Sequence, residues 1–313
     1  MSIIDFFDNC RFWGSKRNSL LQKLKFYGMI NQLVTLVANI ILPIYFKVTT
    51  HKDKYSLCPT EQNNGNRIIV SLTSYPLRMQ QLWKVIECMM RQSVKPDKIV
   101  LYLTQSQIHG IESLPHSILQ QCKRGLEVRF CKDEIKSHTK YFYAFQDFPD
   151  DVVITVDDDL FYRSDLIESL LKSHKRYPHT IICNWAKEIL PDKPMYKEWP
   201  DVHTPMISRH FLLLGVSGVL YPPHCMYKDI FNVSMIRELC LTADDVWLSC
   251  MALLNQTPVY FTGYKYNHLP IIIRNDRTLL SINRERNQIC VDNLNCYYDK
   301  EIGIKPFVDL SNK

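Results

Sequence analysis

Between residues 67 and 262 two apolar patterns alternate along the chain. Short runs of β-branched and aliphatic residues predict strands at Arg67–Thr73 (RIIVSLT), Lys98–Leu103 (KIVLYL), Leu126–Phe130, Val152–Val156 and Thr180–Cys183. Between them, apolar residues at helical spacing predict helices over Leu77–Arg91, around Leu114–Gln121, and over Ser137–Phe148 and Ser164–His174. In the first of these Leu82, Val85, Ile86, Met89 and Met90 share a face. Strands that alternate with helices imply right-handed crossovers, and so a Rossmann-like α/β fold with a mainly parallel sheet and flanking helices. The second half is less regular. Asn184–Arg209, with four prolines and two tryptophans, predicts a long loop of the kind that covers a site. Gly215–Leu220 (GVSGVL) predicts a strand whose glycines allow close backbone approach, stopped by Pro222 and Pro223. Leu241–Asn255 predicts a helix capped by Thr242, and Pro258–Phe261 a last strand.

The first 50 residues differ. Arg11, Lys16, Arg17, Lys23 and Lys25 are basic, with no acid between Arg11 and Lys25, and Phe26–Phe46 then carries no charge. That stretch lacks the short h-region and cleavage site of a secretory signal, and Asn31, Gln32, Asn39 and Pro43 interrupt it as a spanning helix. Basic residues beside an amphipathic apolar stretch fit a helix lying in a membrane interface through residues 11–46; the alternative is a helix packed on the main domain. The organisation expected is therefore a helical membrane-associating extension over 1–50, a polar linker over 51–66, a main domain over 67–270, and a basic tail over 271–313 packing on it.

Composition adds limits. A chain of 313 residues with 46% hydrophobic and 22% charged residues is globular rather than disordered. The net charge of +6 is uneven, with Arg274, Arg277, Arg284 and Arg286 forming a second basic set that favours anionic partners; no nucleic-acid partner is expected. Eleven cysteines without a CxxC pair predict buried free thiols in a reducing compartment, hence a cytoplasmic protein, at the inner face of the plasma membrane if the N-terminal helix binds lipid.

The chemistry centres on Asp151–Tyr162 (DVVITVDDDLFY). Asp157, Asp158 and Asp159 repel one another and suit the carboxyl end of a strand, where a Mg²⁺ or Mn²⁺ ion draws hard oxygens together. The other reading is a solvated acidic turn before the next helix.

VDDD after a half-Rossmann run, GVSGVLYPP, and ADDVWL opening a helix resemble, in that order, the GT-A glycosyltransferases. The likeness is greatest to family 2-like bacterial enzymes of surface-polysaccharide synthesis, and it extends to VSLTSYPLRM and the segment from Ser137 to Tyr162. The resemblance covers residues 67–262 and implies a GT-A fold, a nucleotide-sugar donor, a glycan or lipid-linked acceptor, and a divalent cation. It places Asp157 near the ribose and metal, Asp159 at the metal, and Asp158 between them. It makes Asp245 the general base with Asp244 as its partner, although this chain has Asp where the family often has Glu at the first position; read alone, two acids in a first helical turn stabilise the helix N-terminus. Thr73, Ser74, Tyr75, Arg78 and Lys140 fall where the donor sits. Tyr75 suits base stacking or a plain turn, and Arg78 suits phosphate or solvent. Gly218 suits close approach of a sugar or simple packing, and His268 a further metal ligand or a packed histidine. Trp185 and Trp247 suit stacking on a sugar, with core packing the other reading for Trp247. Rival activities with the same carboxylates are a metal-dependent phosphohydrolase or nucleotidyltransferase; a catalytically silent nucleotide-sugar-binding protein is the third reading.

Overall fold

A computed structural model describes residues 2–11, 26–50, 56–57, 66–193, 195–264, 266–273 and 280–309, without the side chains of 280–284. Lys16, Arg17, Lys23, Lys25, Arg274, Arg277, the Arg284 side chain and most of the expected linker lie outside the described residues.

Ile68–Thr73 (β1), Lys98–Thr104 (β2), Leu126–Cys131 (β3) and Val152–Thr155 (β4) run parallel at one side of an eight-stranded sheet. Successive strand residues face opposite ways. Val70, Leu72, Ile99, Leu101 and Ile154 enter one core, while Ile69, Val100 and Val153 enter another beside Ala144 and Phe148. Helices cover both faces, which is why β1, β2 and β4 read as nearly unbroken apolar runs; the edge strand β3 (LEVRFC) carries Glu127 and Arg129. Met79–Met90 (α3), His116–Cys122 (α4) and Leu166–Arg176 (α6) pack on the first face, where Phe26–Thr49 (α2) also docks. Thr139–Asp147 (α5), Asp244–Leu254 (α8) and Leu280–Ile302 (α9) pack on the other. Ile3–Asn9 (α1) and Val233–Leu239 (α7) are shorter.

The remaining strands are Leu160–Phe161 (β5), Ile181–Cys183 (β6), Ala186–Glu188 (β7), Met206–Ser208 (β8), Phe211–Leu213 (β9), Val219–Tyr221 (β10), Val259–Phe261 (β11) and Leu269–Pro270 (β12). The large sheet has the order β3-β2-β1-β4-β10-β6-β11-β8, with β10 and β8 antiparallel to the rest. The expected mixed α/β class with a mainly parallel sheet is therefore present. From β1 the chain builds outward through β2 and β3, then returns to place β4 on β1's other side. At such a reversal an open α/β sheet is expected to form a ligand crevice outside the strand ends, here the carboxyl ends of β1 and β4.

Three expectations need correction. Asn184–Arg209 is not one long loop, since it contains β7 and β8, and β7 pairs with β9. Gly215–Ser217 is a 3₁₀ turn before the short strand β10, because Gly218 takes a φ of +81° and ends the turn. Helix α8 starts behind Ala243, with no side-chain cap, rather than behind Thr242. The sequence between 271 and 313 also supplies a 23-residue helix, α9, which the polar composition of the segment concealed. All ten described cysteines are free thiols.

One buried ionic group fastens the elements on the first face. Glu87 in α3 accepts from Arg91 at 2.7 Å and from Arg124 at 2.6 Å, and all three side chains are nearly inaccessible. Arg91 also donates to the Phe46 carbonyl and to Thr49, which ties the end of α2 to α3. Two guanidiniums left without their carboxylate would be buried and uncompensated. Glu87→Ala should therefore lower unfolding stability by about 3–5 kcal/mol in urea titration; a loss below about 1 kcal/mol, the level of an exposed pair, would contradict the role given to this group.

Candidate active site

The crevice at the switch point is lined from both sides by residues singled out in the sequence. Ser74–Arg78 follow β1, and Asp157–Asp159 follow β4. Asp158 is buried and turned back into the protein, where it accepts from Ser74 Oγ and from Arg78 Nη1, each at 2.5 Å. Burial raises its pKa despite the facing guanidinium. Arg78 also pairs with Asp159 at 2.9 Å and lies 5.3 Å over the Tyr75 ring. One guanidinium thus bridges two of the three aspartates and joins the β1 turn to the β4 turn. Thr73 bonds elsewhere, its hydroxyl donating to the Tyr102 carbonyl at 2.8 Å.

Asp157 meets a different cation. Lys140, in the first turn of α5, is 5% exposed and places Nζ 2.6 Å from Asp157 Oδ1 and 2.9 Å from Asp244 Oδ2. Burial disfavours the ammonium, but Asp157, Asp244 and Asp245 outweigh it and hold the lysine charged. The two carboxylates that open α8 respond in opposite directions. Burial alone would raise Asp244, yet Lys140 and His138 hold it at about 2. Asp245 is driven well above the ordinary carboxylate range by burial and then by the charge of Asp244. Neighbouring acids whose pKa values are pushed apart have the division expected of an anionic anchor and a proton acceptor.

Asp245 is oriented by an arch of backbone. The Gly215 N–H donates to its Oδ1 at 2.9 Å, and a Cβ on Gly215 would sit 2.9 Å from the same oxygen. Three other side chains hold the arch. Tyr162 Oη accepts the Asp157 N–H at 2.8 Å and donates to the Val216 carbonyl at 3.1 Å. Asn184 Nδ2 donates to the Ser217 carbonyl at 3.0 Å, and Ser217 Oγ lies 2.7 Å from His268 Nε2. His268 itself stacks on Trp185 at 4.8 Å, with a positive φ of 53°. Burial lowers its pKa to about 4, so the imidazole is neutral at neutral pH. Gly218 fills no ligand space here: a Cβ would meet the methyls of Leu166 at 3.3 Å. Trp247 is fully buried in the core.

The structure therefore gathers Ser74, Tyr75, Arg78, Lys140, Asp157, Asp158, Asp159, Asp244, Asp245 and His268 around one sheet edge. Sequence reading missed Tyr162, Asn184, Ser217 and the role of Gly215. Tyr162 stands directly after the DDDLF run and Gly215 within a quoted motif, but hydrogen bonds across 30 or more residues leave no periodic signal.

No protein-family model and no curated protein matches the chain. Among solved structures, similarity is found to the mannosyltransferase PcManGT from Pyrobaculum calidifontis in complex with GDP-Man and Mn²⁺, at 12% identity and a TM-score of 0.47, covering 90% of this chain and 79% of that one. A CMP:2-keto-3-deoxy-manno-octonic acid synthetase complexed with CTP follows at 10% identity, TM-score 0.40, covering 70% and 97%. A 2-C-methyl-D-erythritol 4-phosphate cytidylyltransferase from Thermus thermophilus matches at 12% identity, TM-score 0.34, covering 72% and 99%. Likeness at this level carries no functional argument.

Lys140→Met tests the electrostatic arrangement. Without the ammonium, Asp157, Asp244 and Asp245 are left as clustered anions, and stability at pH 7 should fall by about 3–5 kcal/mol. Carboxylates with folded pKa values raised above the unfolded ones bind more protons when folded, so the variant should regain stability as pH falls from 7 towards 5. Denaturant unfolding at both pH values measures this; a variant equally destabilised at each would contradict charge balance as the role of Lys140.

Proposed function

We propose that this chain is a metal-dependent glycosyltransferase, moving a sugar from a nucleotide-sugar donor to a hydroxyl of a glycan or lipid-linked acceptor. The observation that carries this reading is Lys140, which pairs at once with Asp157 and Asp244 and so joins a phosphate-suited sheet edge to the acidic pair that opens α8. The residues present fit a divalent cation in donor chemistry. Asp157 and Asp159 offer hard oxygens and keep 29% and 33% of their side-chain surface accessible. Among the described residues no group of three or more His, Cys, Asp or Glu side chains is arranged to hold a metal alone. Mn²⁺ or Mg²⁺ bound by Asp157 and Asp159 would take its other ligands from phosphate and water and neutralise the leaving diphosphate; His268, whose Nε2 faces Ser217 Oγ at 2.7 Å, is not grouped with them as a third ligand.

The chain's own groups divide the rest of the work. Ser74, Tyr75 and Arg78 line the side where a nucleoside would lie, with Tyr75 offering a ring and Arg78 a guanidinium. Asp245 takes the proton from the acceptor hydroxyl as its oxygen attacks the anomeric carbon. The bond from that carbon to the diphosphate oxygen breaks, and the nucleoside diphosphate leaves with the electron pair beside Lys140 and Arg78. Displacement by a single attack inverts the anomeric centre. The Gly215 N–H keeps Asp245 aimed, and its raised pKa makes it a stronger base than an exposed aspartate.

Asp245→Asn should cut acceptor-dependent transfer about 10²–10⁴-fold while leaving nucleotide affinity unchanged. Because the base must be ionised, activity of the native protein should rise with pH through an acid limb lying above the ordinary aspartate range near 4, and the variant should lose that limb. Donor consumption that is equally fast without any acceptor, or an Asp245→Asn variant of full activity, would overturn the reading in favour of phosphate-bond chemistry or a binding role.

A further inference from the structure

Helix α2 is amphipathic in the wrong sense for a helix that merely packs on a domain. Its polar residues Thr35 and Asn39 face inward. Asn39 donates to the Pro270 carbonyl and accepts from the Ile272 N–H, each at 2.9 Å, while Arg11 reaches the Asn31 carbonyl at 3.1 Å. Only Ala38, Leu42 and Phe46 of its apolar residues are fully buried, with Phe46 against Trp83 and Phe161. The outward face is mostly apolar: Met29 is 65% exposed, Leu33 61%, Ile44 58% and Val48 72%, with Leu36 and Ile40 between them and the exposed Lys47 in the last turn. At 100° per residue the exposed apolar positions span an arc of about 140° on a helix about 36 Å long. Ile272, held beside Asn39, extends the patch and is also exposed.

We propose that this face of α2 lies in the surface of an anionic lipid bilayer, with the helix parallel to the membrane plane. Its length alone would allow a span. The contacts with Pro270, Ile272, Arg11 and Arg91 bind it to the domain along its length, and a spanning helix would have to give up all of them. Charge selects lipid over a second copy. The sequence leading into Phe26 contains Lys16, Arg17, Lys23 and Lys25 and no acid, which complements anionic head groups and would set two copies against each other. The arc is also wider than the narrow seam of a paired coiled coil. Because Asn39 bonds to β12, which pairs with β5 directly after the three aspartates, the bilayer would meet the protein at a fixed position relative to the crevice.

The test is co-sedimentation of the full chain with vesicles of phosphatidylcholine alone and of phosphatidylcholine with 30% phosphatidylglycerol (a proportion of about one in three, enough to give a negative surface potential). The native protein should sediment with the anionic vesicles, more weakly with the neutral ones. A triple variant, Leu33→Ser with Leu36→Ser and Ile40→Ser, should lose at least about tenfold in partitioning, with its thermal unfolding unchanged because those side chains are exposed. Absence of vesicle binding by the native protein, equal binding by the variant, or concentration-dependent dimerisation that the variant abolishes without any lipid binding would each overturn the proposal. None of these outcomes depends on the catalytic reading.

Discussion

A single buried ammonium is the constraint on which the candidate site depends. Lys140 lies between Asp157, which follows β4, and Asp244, which opens α8, and Asp245 adds a third negative charge nearby. Three carboxylates could not share so small a volume uncompensated. With the lysine present, the charges settle into an ordered set: one acid held at about 2, one raised well above its usual range, and a cation kept protonated against burial. The same ion pairs fix the start of α5 against the start of α8, so electrostatics and helix placement are one problem with one solution.

The sheet supplies the edges that make this possible. Reversal of strand order at β1 brings two loops together that are about 80 residues apart in sequence, as the Ser74–Asp158 and Arg78–Asp158 bonds show. Antiparallel β10 then inserts beside β4, and the Gly215–Gly218 arch leading into it crosses the strand ends. That arch donates the Gly215 N–H to Asp245, accepts from Tyr162 and Asn184, and meets His268 through Ser217. A strand in the parallel sense would have entered from the opposite edge and left Asp245 without its backbone donor. On the outer side, α2 and β12 close over β5, linking that helix to the chain just beyond the aspartates.

Much of this was legible from the chain alone, for physical reasons. Residues 67–183 bury both faces of parallel strands, and such burial writes continuous apolar runs and helical spacing into the sequence; β1, β2, β3, β4 and β6 all fall within a residue or two of their expected bounds. The acidic motifs were visible because adjacent carboxylates are costly and need a reason. Residues 184–240 were harder. Strands such as β7, β8 and β9 are three residues long, too short to establish a period, and prolines at their borders made the segment read as loop. Tyr162 and Asn184 act through single hydrogen bonds to distant backbone, which no local pattern encodes. For α2 the apolar character was evident, but which face turned to the protein was set by Asn39 and Arg91, partners more than 40 residues from the contacts they make.

The most direct test of the account is calorimetric titration of the native protein with a panel of nucleoside diphosphates, with and without Mn²⁺, beside Asp159→Ala. The site described here should bind one nucleotide in the presence of the metal only, and Asp159→Ala should abolish that binding while the protein remains folded. If no nucleotide binds under any metal condition, the three aspartates are an acidic turn neutralised by Arg78 and Lys140, and the donor site proposed for this crevice does not exist.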